Sequence, residues 1–174
     1  MFKDLCALIK NQHVTTVKIL RSDNGAEYNN QDFHQFLAIN DIKHQTTCVN
    51  TPEQNGVAER KNRHLLEVAR SLMFTMHVPK ILWSEAIKTA TYLINRMPLR
   101  VLGYRTPAEC LLGSNDFVVP PKVFGCVCFV HDYRNSVGKL DPRALKCVFM
   151  GYSASKKGYR CWCPFERRCL KAWM

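Results

Sequence analysis

The stretches LRSDNGAEY, residues 20–28, and TPEQNGVAERKN, residues 51–62, decide how this sequence folds. The first ends a run rich in β-branched residues, 14–20, which predicts a β-strand, and its Asn24-Gly25 pair indicates a sharp turn. The second passes from a polar loop into a long helix predicted over residues 57–76. Asp23 is therefore expected at a strand end and Glu59 in the first turn of a helix. Such carboxylates supply the oxygen donors that a hard divalent cation prefers.

Each of these carboxylates also has a purely structural interpretation. An aspartate before Asn-Gly commonly forms the turn, and a glutamate in the first helical turn interacts favourably with the helix dipole. Only the two acids together, with their surroundings, indicate a metal site. Two divalent ions about 3.5–4 Å apart can activate an attacking oxygen and stabilise a leaving oxygen in phosphoryl transfer.

The charge of the chain favours a polyanionic partner. Its 174 residues include 25 Lys+Arg and 14 Asp+Glu, a net charge of +11, and residues 120–174 hold 11 of the basic and 3 of the acidic residues. Nucleic acid is the first candidate and an anionic membrane surface the second, with simple solubility as the alternative. No apolar run reaches the roughly 18 residues of a membrane span, and the N-terminus lacks the apolar stretch of a signal peptide. We therefore expect no membrane-embedded or secreted protein.

The periodicity of the remaining chain predicts an α/β protein that ends in β-strands. Helices are predicted near residues 2–9, 31–39, 57–76, 82–96 and 107–111, and strands near residues 14–20, 42–49, 123–130, 146–150, 159–163 and 167–171. The helix at 82–96 should bury Trp83, Ala86, Ile87, Ala90 and Ile94. The close spacing of short strands after residue 123 predicts a small barrel.

Cysteines are frequent, with nine in the chain and six of them in the last 55 residues. Cys126 and Cys128 form one C-x-C pair, and Cys161 and Cys163 form another, which is not the spacing of common zinc sites. In a strand both sulfurs of a pair lie on one face, where cysteine packs as a small apolar residue. We expect reduced thiols in a core rather than a metal site.

These motifs resemble the integrase of copia-type LTR retrotransposons, in the retroviral integrase superfamily with its RNase H-like fold. The 35 residues between Asp23 and Glu59 match the family's spacing between its second and third catalytic carboxylates. LWSEA, residues 82–86, and RTPAE, residues 105–109, resemble the family's later helical region. VFGC at 123–126, KCVFMGY at 146–152 and GYR at 158–160 resemble the SH3-like domain that follows the core in Pol polyproteins.

The resemblance implies three segments. Residues 1–98 would form the C-terminal part of an integrase core, 99–121 a connector and 122–174 a small SH3-like β-barrel. The family's first catalytic aspartate lies on the first strand of its core, but only 22 residues precede Asp23 and their sole acid, Asp4, lies on a predicted helix. We therefore expect a truncated integrase in which the N-terminal strands and the zinc-binding His/Cys region are missing.

The resemblance also implies DNA integration, in which three acids hold two Mg²⁺ or Mn²⁺ ions for 3′-end processing and strand transfer. Asp23 and Glu59 match the second and third acids, as catalytic and metal-binding residues. Asn55 and Gly56 match the mobile loop before the catalytic helix and are expected to contact DNA.

DNA contacts are expected from basic and polar residues in two places. Asn62 and Arg63 follow Glu59 on its helix, although Arg63 suits an ion pair with Glu59 or Glu67 equally well. Near the C-terminus the cations Lys156, Lys157 and Arg160 alternate with aromatic residues, which suits contact with the DNA backbone. For the aromatic residues Tyr159, Trp162 and Phe165, filling a barrel core is the favoured interpretation and base stacking the alternative.

The function expected from the sequence is a nucleic-acid-binding fragment of a retrotransposon integrase that is inactive alone, because the first aspartate is absent. The alternative is a non-catalytic nucleic-acid-binding remnant, and a third possibility is a metal hydrolase that shares only the acid spacing. The intact parent is expected to act as a homo-oligomer on element ends and target DNA. A DNA substrate implies the nucleus, with the cytoplasm as the other compartment.

Overall fold

The computed structural model describes residues 1–13, 15–47, 56–113, 119–132, 143–153 and 157–173. The chain divides into two compact units, Met1–Asn62 and Arg63–Met174, each of which is described by itself. The segment boundaries predicted at residues 98 and 121 come from the family resemblance and not from compactness, and they stay predictions. Among the described residues, no helix combines the length and apolarity that crossing a membrane requires.

The first unit alternates helices and strands: α1 (Phe2–His13), β1 (Ile19–Ser22), α2 (Gln31–Ile39) and β2 (Lys43–Thr46). The two strands are parallel, with Ile19 opposite Lys43 and Ser22 opposite Thr46, and α2 supplies the crossover that parallel strands need. The strand predicted at residues 14–20 is therefore found later in the chain, at Ile19–Ser22. The β-branched residues before Ile19 have the composition of a strand, but the pairing with β2 covers only four residues.

The core of the first unit lies between its helices and the two strands. Phe33, Leu37 and Ile42 are buried there, and partly buried residues packed around them are Phe2, Cys6, Val17, Leu20, Tyr28 and Phe36. Asn30 is the N-cap of α2. Its side chain accepts a hydrogen bond of 2.9 Å from the Phe33 amide. The alternation along β1 turns Ser22 inward, and Asp23 follows at the exposed end of the strand.

The boundary between the units falls within α3 (Gly56–Thr75), which precedes α4 (Trp83–Ile94) and α5 (Pro107–Leu112). In the second unit, Ala69, Ala86, Ala90 and Phe124 form a buried cluster. Trp83 is 60% exposed, so its predicted burial is wrong. Helical side chains lean toward the N-terminus, and Trp83, as the first residue of α4, therefore extends beyond the start of the packed helix.

Four antiparallel strands complete the second unit: β3 (Val127–His131), β4 (Ala144–Tyr152), β5 (Gly158–Cys163) and β6 (Arg168–Trp173). They pair in chain order, and within the described ranges no ladder joins β3 to β6. Within the described ranges the sheet therefore stays open, and the predicted small β-barrel is not closed there. Phe149 and Tyr152 of β4 pack against Tyr92 and Leu93 of α4, so the sheet buries apolar side chains against a helix instead of closing on itself.

Most cysteines of the sheet lie in its core, as the spacing of the C-x-C pairs predicted, whereas Cys169 of β6 is exposed. Cys147, Cys161 and Cys163 are buried together with Val130, and Cys128 packs against them from β3. Both members of the Cys161 pair lie on one face because the residues of a strand alternate between faces. Their role in this fold is packing.

Glycines allow the helices of the second unit to approach its sheet closely. Gly151 has φ +127°, and a Cβ there would stand 2.4 Å from Oγ1 of Thr89 on α4. The Thr89 hydroxyl in turn lies 3.3 Å from the carbonyl oxygen of Met150. Gly125, with φ +84°, leaves only 2.4 Å between such a Cβ and Cγ2 of Val78. A side chain at Gly151 would push α4 away from the sheet, and one at Gly125 would clash with Val78 in the loop after α3.

We predict that Gly151→Ala destabilises the chain by more than about 2 kcal/mol, because a strained φ and an overpacked contact add. Gly103→Ala is the matched control: Gly103 has φ +63° but nothing within 4 Å of its Cβ position, so only the conformational cost of about 1 kcal/mol applies. Urea unfolding of both variants measures the difference. Equal losses would contradict the close helix–sheet contact, and Thr89→Ala should recover part of the Gly151→Ala loss.

Candidate functional site

Asp23 lies directly after β1 and forms the turn that its sequence context predicted. Its Oδ1 accepts a hydrogen bond of 3.1 Å from the Gly25 amide, and Asn24 Nδ2 donates one of 3.0 Å to the Thr47 carbonyl just beyond β2. The first bond closes the turn, and the second joins the end of β1 to the chain just beyond β2. Asp23 is exposed, and because a carboxylate has several acceptor positions the turn does not exclude a second role as a ligand.

Two further polar residues surround the Asp23 turn, and the sequence interpretation did not single them out. The carboxylate atoms of Glu27 stand 2.7 to 2.9 Å from the position of a Cβ on Gly25, so this glycine makes room for Glu27. Nε2 of His44 lies 2.9 Å from Oγ of Ser22. The sequence could have indicated Glu27, because it is an acid four residues after Asp23 and beyond a glycine turn. It could not have indicated the contact between His44 and Ser22, since that contact depends on the pairing of β1 with β2.

Glu59 lies in the first turn of α3, as predicted, and is exposed. Asn55, predicted in the loop before it, lies outside the described residues. Gly56 begins the helix, and Nη1 of Arg60 lies 3.1 Å from the position that a Cβ on Gly56 would take. The absence of a side chain at Gly56 thus allows the Arg60 guanidinium to fold back over the first turn, which brings a cation to the turn that carries Glu59.

Asn62 and Arg63 are exposed on the same helix. Arg63 forms no ion pair with any residue in the described part of the chain. The ion-pair alternative for Arg63 is therefore not realised there. An exposed guanidinium without a carboxylate partner is available to a phosphate.

The carboxylates match a hard divalent cation in donor type but fall short in number. In the described part of the chain, no three His, Cys, Asp or Glu residues are grouped so that they could hold a metal ion. Asp23 and Glu59 offer exposed oxygen donors of the kind that Mg²⁺ and Mn²⁺ prefer. A site for two ions requires more protein ligands than these two carboxylates.

The C-terminal cations differ in their surroundings. Lys156 lies outside the described residues, and Lys157 is exposed just before β5. Arg160 is not a simple surface cation: its Nη1 lies 2.6 Å from Oε2 of Glu85, and its side chain is only 27% exposed. Lys88 approaches the same carboxylate at 2.9 Å. Arg160 therefore links β5 to α4, in addition to any role toward DNA.

The pKa of Glu85 reflects this pairing. Partial burial acts to raise it, but the hydrogen bond from Lys88 and the charge and hydrogen bond of Arg160 together outweigh burial and hold the pKa below its usual value. Glu85 thus stays ionised and keeps both cations in place.

The aromatic residues near Arg160 separate into two groups. The Tyr159 hydroxyl donates a hydrogen bond of 2.9 Å to the Pro120 carbonyl, and its ring packs against the buried Phe149. Phe165 is 86% exposed and fills no core. The core interpretation therefore holds for Tyr159 and is wrong for Phe165.

The buried cysteines are poor metal ligands and poor nucleophiles. Burial is the main cause that raises the pKa of Cys147 to about 12, and burial likewise raises the pKa of Cys161 and Cys128. Because the thiolate is the reactive and metal-binding form, these thiols are inert near neutral pH.

We predict a sharp difference in thiol reactivity within the sheet and α5. Cys110 and Cys169 are exposed, whereas Cys147, Cys161 and Cys163 are buried. An aromatic disulfide reagent should modify the first two in the native protein and the other three only after unfolding. Mass spectrometry of labelled peptides assigns the sites. Rapid native labelling of Cys161 would contradict the packed core.

Comparison with known proteins adds independent findings. Residues 126–172 match the family described as the retroviral polymerase SH3-like domain. The chain is 37% identical over 172 residues to the retrovirus-related Pol polyprotein from transposon TNT 1-94 of Nicotiana tabacum, covering 99% of this chain and 13% of that protein. It is also 37% identical over 155 residues to the corresponding polyprotein from transposon RE2 of Arabidopsis thaliana, covering 89% and 10%. The chain thus spans a small part of these relatives.

A solved structure shares the fold. The cryo-EM structure of the simian T-cell lymphotropic virus intasome in complex with PP2A regulatory subunit B56 gamma aligns with a TM-score of 0.50 and 17% identity. The alignment covers 99% of this chain and 63% of that chain. At this identity the likeness concerns the fold alone, and it includes both the helical part and the sheet.

Proposed function

We propose, because the homologues of this chain are retrotransposon Pol polyproteins, that this integrase-related fragment binds nucleic acid and supplies two of the three acids of an integrase active site. The observation that carries the proposal is the placement of two exposed carboxylates. Asp23 follows a parallel strand and Glu59 opens a long helix, the positions at which the family's second and third acids are expected. Both are proposed as catalytic and metal-binding residues.

The proposed cofactor is Mg²⁺ or Mn²⁺. Such ions, when bound, neutralise phosphate charge and favour deprotonation of an attacking water or hydroxyl. The contribution of this chain is to hold Asp23 in a hydrogen-bonded turn and Glu59 on a helix, which fixes the backbone of both ligands. Gly56, with Asn55 before it, is proposed as a DNA contact next to Glu59.

Catalysis by these 174 residues alone is not expected. Integration needs three acids for two ions, and the sequence offers no counterpart of the first acid in the segment before Asp23. Two carboxylates do not enclose two divalent cations in the octahedral geometry that Mg²⁺ demands. The chain is thus proposed to be catalytically incomplete, while its parent carries out end processing and strand transfer.

We predict that the isolated chain produces neither processed ends nor strand-transfer products from element-end oligonucleotides in Mn²⁺, because the metal site lacks one acid. Denaturing gels of labelled oligonucleotides measure this. Glu59→Gln is the control that separates contamination from catalysis. Products from the unmodified chain that disappear in Glu59→Gln would refute the proposed incompleteness.

DNA binding is proposed from charge and exposure. The net charge of +11 concentrates in the C-terminal part, and Arg63 and Lys157 are exposed cations. Each cation that neutralises a phosphate releases a condensed counterion, so affinity should fall steeply with salt. Asn62 and Lys156 are proposed as further contacts.

We predict that Arg63→Gln weakens binding to duplex DNA and lowers the slope of log affinity against log salt by about 0.9, the value for one phosphate contact. Arg70→Gln is the matched control: Arg70 is exposed on the same helix, seven residues further along, and is not a proposed contact. Fluorescence anisotropy at several salt concentrations measures both. Equal effects of the two substitutions would contradict a specific role for Arg63.

The second candidate is a non-catalytic nucleic-acid-binding remnant. It is favoured because the described ranges contain no group of three metal ligands. Isothermal titration with Mn²⁺ distinguishes the two, because only the first requires that Asp23→Asn and Glu59→Gln weaken metal binding. For the intact parent we extend the first proposal to a homo-oligomer on element and target DNA. Its site of action is then the nucleus, with the cytoplasm as the other compartment.

A further inference from the structure

The second unit contains a groove of about 470 Å³ between α4 and the sheet. Its walls include Lys88 and Tyr92 from the helix and Tyr152, Arg160 and Lys171 from the sheet. The volume lies in the range of roughly 300–1,000 Å³ that is typical of ligand sites. Tyr152 and Arg160 belong to motifs that resemble the SH3-like domain, but the resemblance assigns no role to the groove itself.

The secondary structure determines which residues face the groove. Lys88 and Tyr92 are four residues apart on α4 and therefore lie on one helical face. Arg160 and Lys171 are direct partners in the ladder of β5 and β6, so they lie side by side on one face of the sheet. Three cations from three elements thus surround one cavity.

The groove carries an excess of positive charge. Lys88 and Arg160 share the single carboxylate of Glu85, which is 15% exposed and approached at 2.9 and 2.6 Å. Lys171 forms no ion pair with any residue that the structure describes. Three cations against one carboxylate leave a surplus of two positive charges, which favours an anion carrying more than one charge.

The floor of the groove excludes base stacking. Tyr92 stacks on Tyr152 with ring centroids 3.8 Å apart and planes at 10°. The Arg96 guanidinium lies 3.7 Å from the Tyr92 centroid. Two groups this close to one centroid must occupy opposite faces of the ring, so both faces of Tyr92 are covered. Tyr152 has its other neighbours, Phe149 and Tyr159, in the core.

We propose that this groove binds the phosphodiester backbone of DNA and reads no base. The inference rests on the proposed nucleic-acid binding and assigns it a location. Lys88, Arg160 and Lys171 contact phosphate oxygens, and the edges of the tyrosine rings contact the apolar faces of the sugars. Contacts to phosphate and sugar position a protein on DNA without carrying sequence information, so binding here is independent of sequence.

The test is anisotropy of two labelled duplexes of unrelated sequence with the Lys88→Gln/Lys171→Gln chain over a range of salt concentrations. The double variant should lose affinity for both duplexes equally, and its salt slope should fall by about 1.8, or 0.9 for each lost phosphate contact. Lys80→Gln is the matched control, because Lys80 is an exposed lysine of the same unit outside the groove and should leave the slope unchanged. Glu85→Gln should act in the opposite direction and tighten binding, since it removes the carboxylate that Lys88 and Arg160 share.

The outcomes distinguish the groove from the broader function. If the unmodified chain binds no DNA, the proposed nucleic-acid function itself is wrong. If it binds DNA but the double variant keeps the same affinity and slope, only the groove is wrong. A polyglutamate peptide that competes as well as DNA of equal charge would also overturn the proposal, because the groove would then recognise acidic peptides. Thermal melting verifies that all variants are folded, and the exposed positions of Lys88 and Lys171 make unfolding unexpected.

Discussion

The close contact of α4 with β4 is the constraint on which the second unit depends. It exists because Gly151 has no side chain and a backbone conformation that other residues rarely adopt, and the Thr89 hydroxyl occupies the vacated space. Once Thr89 is placed there, the helical period brings Glu85 and Tyr92 to the same face. The Glu85–Arg160 ion pair and the Tyr92–Tyr152 stack follow from that register. The cationic groove is thus a consequence of one glycine contact.

A different constraint organises the first unit. Parallel pairing aligns the carboxyl ends of β1 and β2, so the residues that follow both strands meet at one edge. The bond from Asn24 to the Thr47 carbonyl joins the two chains there, and the Asp23 turn projects from this edge. Two parallel strands contribute little stability by themselves, and the aromatic core between α1, α2 and the strands provides most of it. The position of Asp23 therefore depends on packing at a distance from its carboxylate.

Local sequence predicted local structure well and tertiary contacts poorly. The helix predicted at residues 31–39 has those bounds, and α3 differs by one residue at each end, because apolar periodicity is a local signal. Whether the described strands close into a barrel could not be predicted, because closure depends on the relative positions of the edge strands, which strand periodicity does not encode. Tyr159 and Phe165 could not be separated by composition, since only the fold shows that Tyr159 packs partly buried on β5 and that Phe165 lies exposed in the turn after β5. The overall α/β integrase-like fold was predicted correctly, through the resemblance and not through periodicity alone.

The role of Arg160 shows why a candidate site needs both kinds of information. Its basic and aromatic neighbours predicted a DNA contact, whereas its ion pair spans 75 positions of sequence and was invisible until the fold was known. The two roles are compatible on electrostatic grounds. Without a carboxylate, Lys88, Arg160 and Lys171 would repel one another across the groove, and their long side chains would spread into solvent. Glu85 holds two of them in place before any ligand arrives, so less conformational entropy is lost on binding. A partly buried carboxylate within a cationic groove therefore favours a defined arrangement of charges at the cost of some net attraction for an anion.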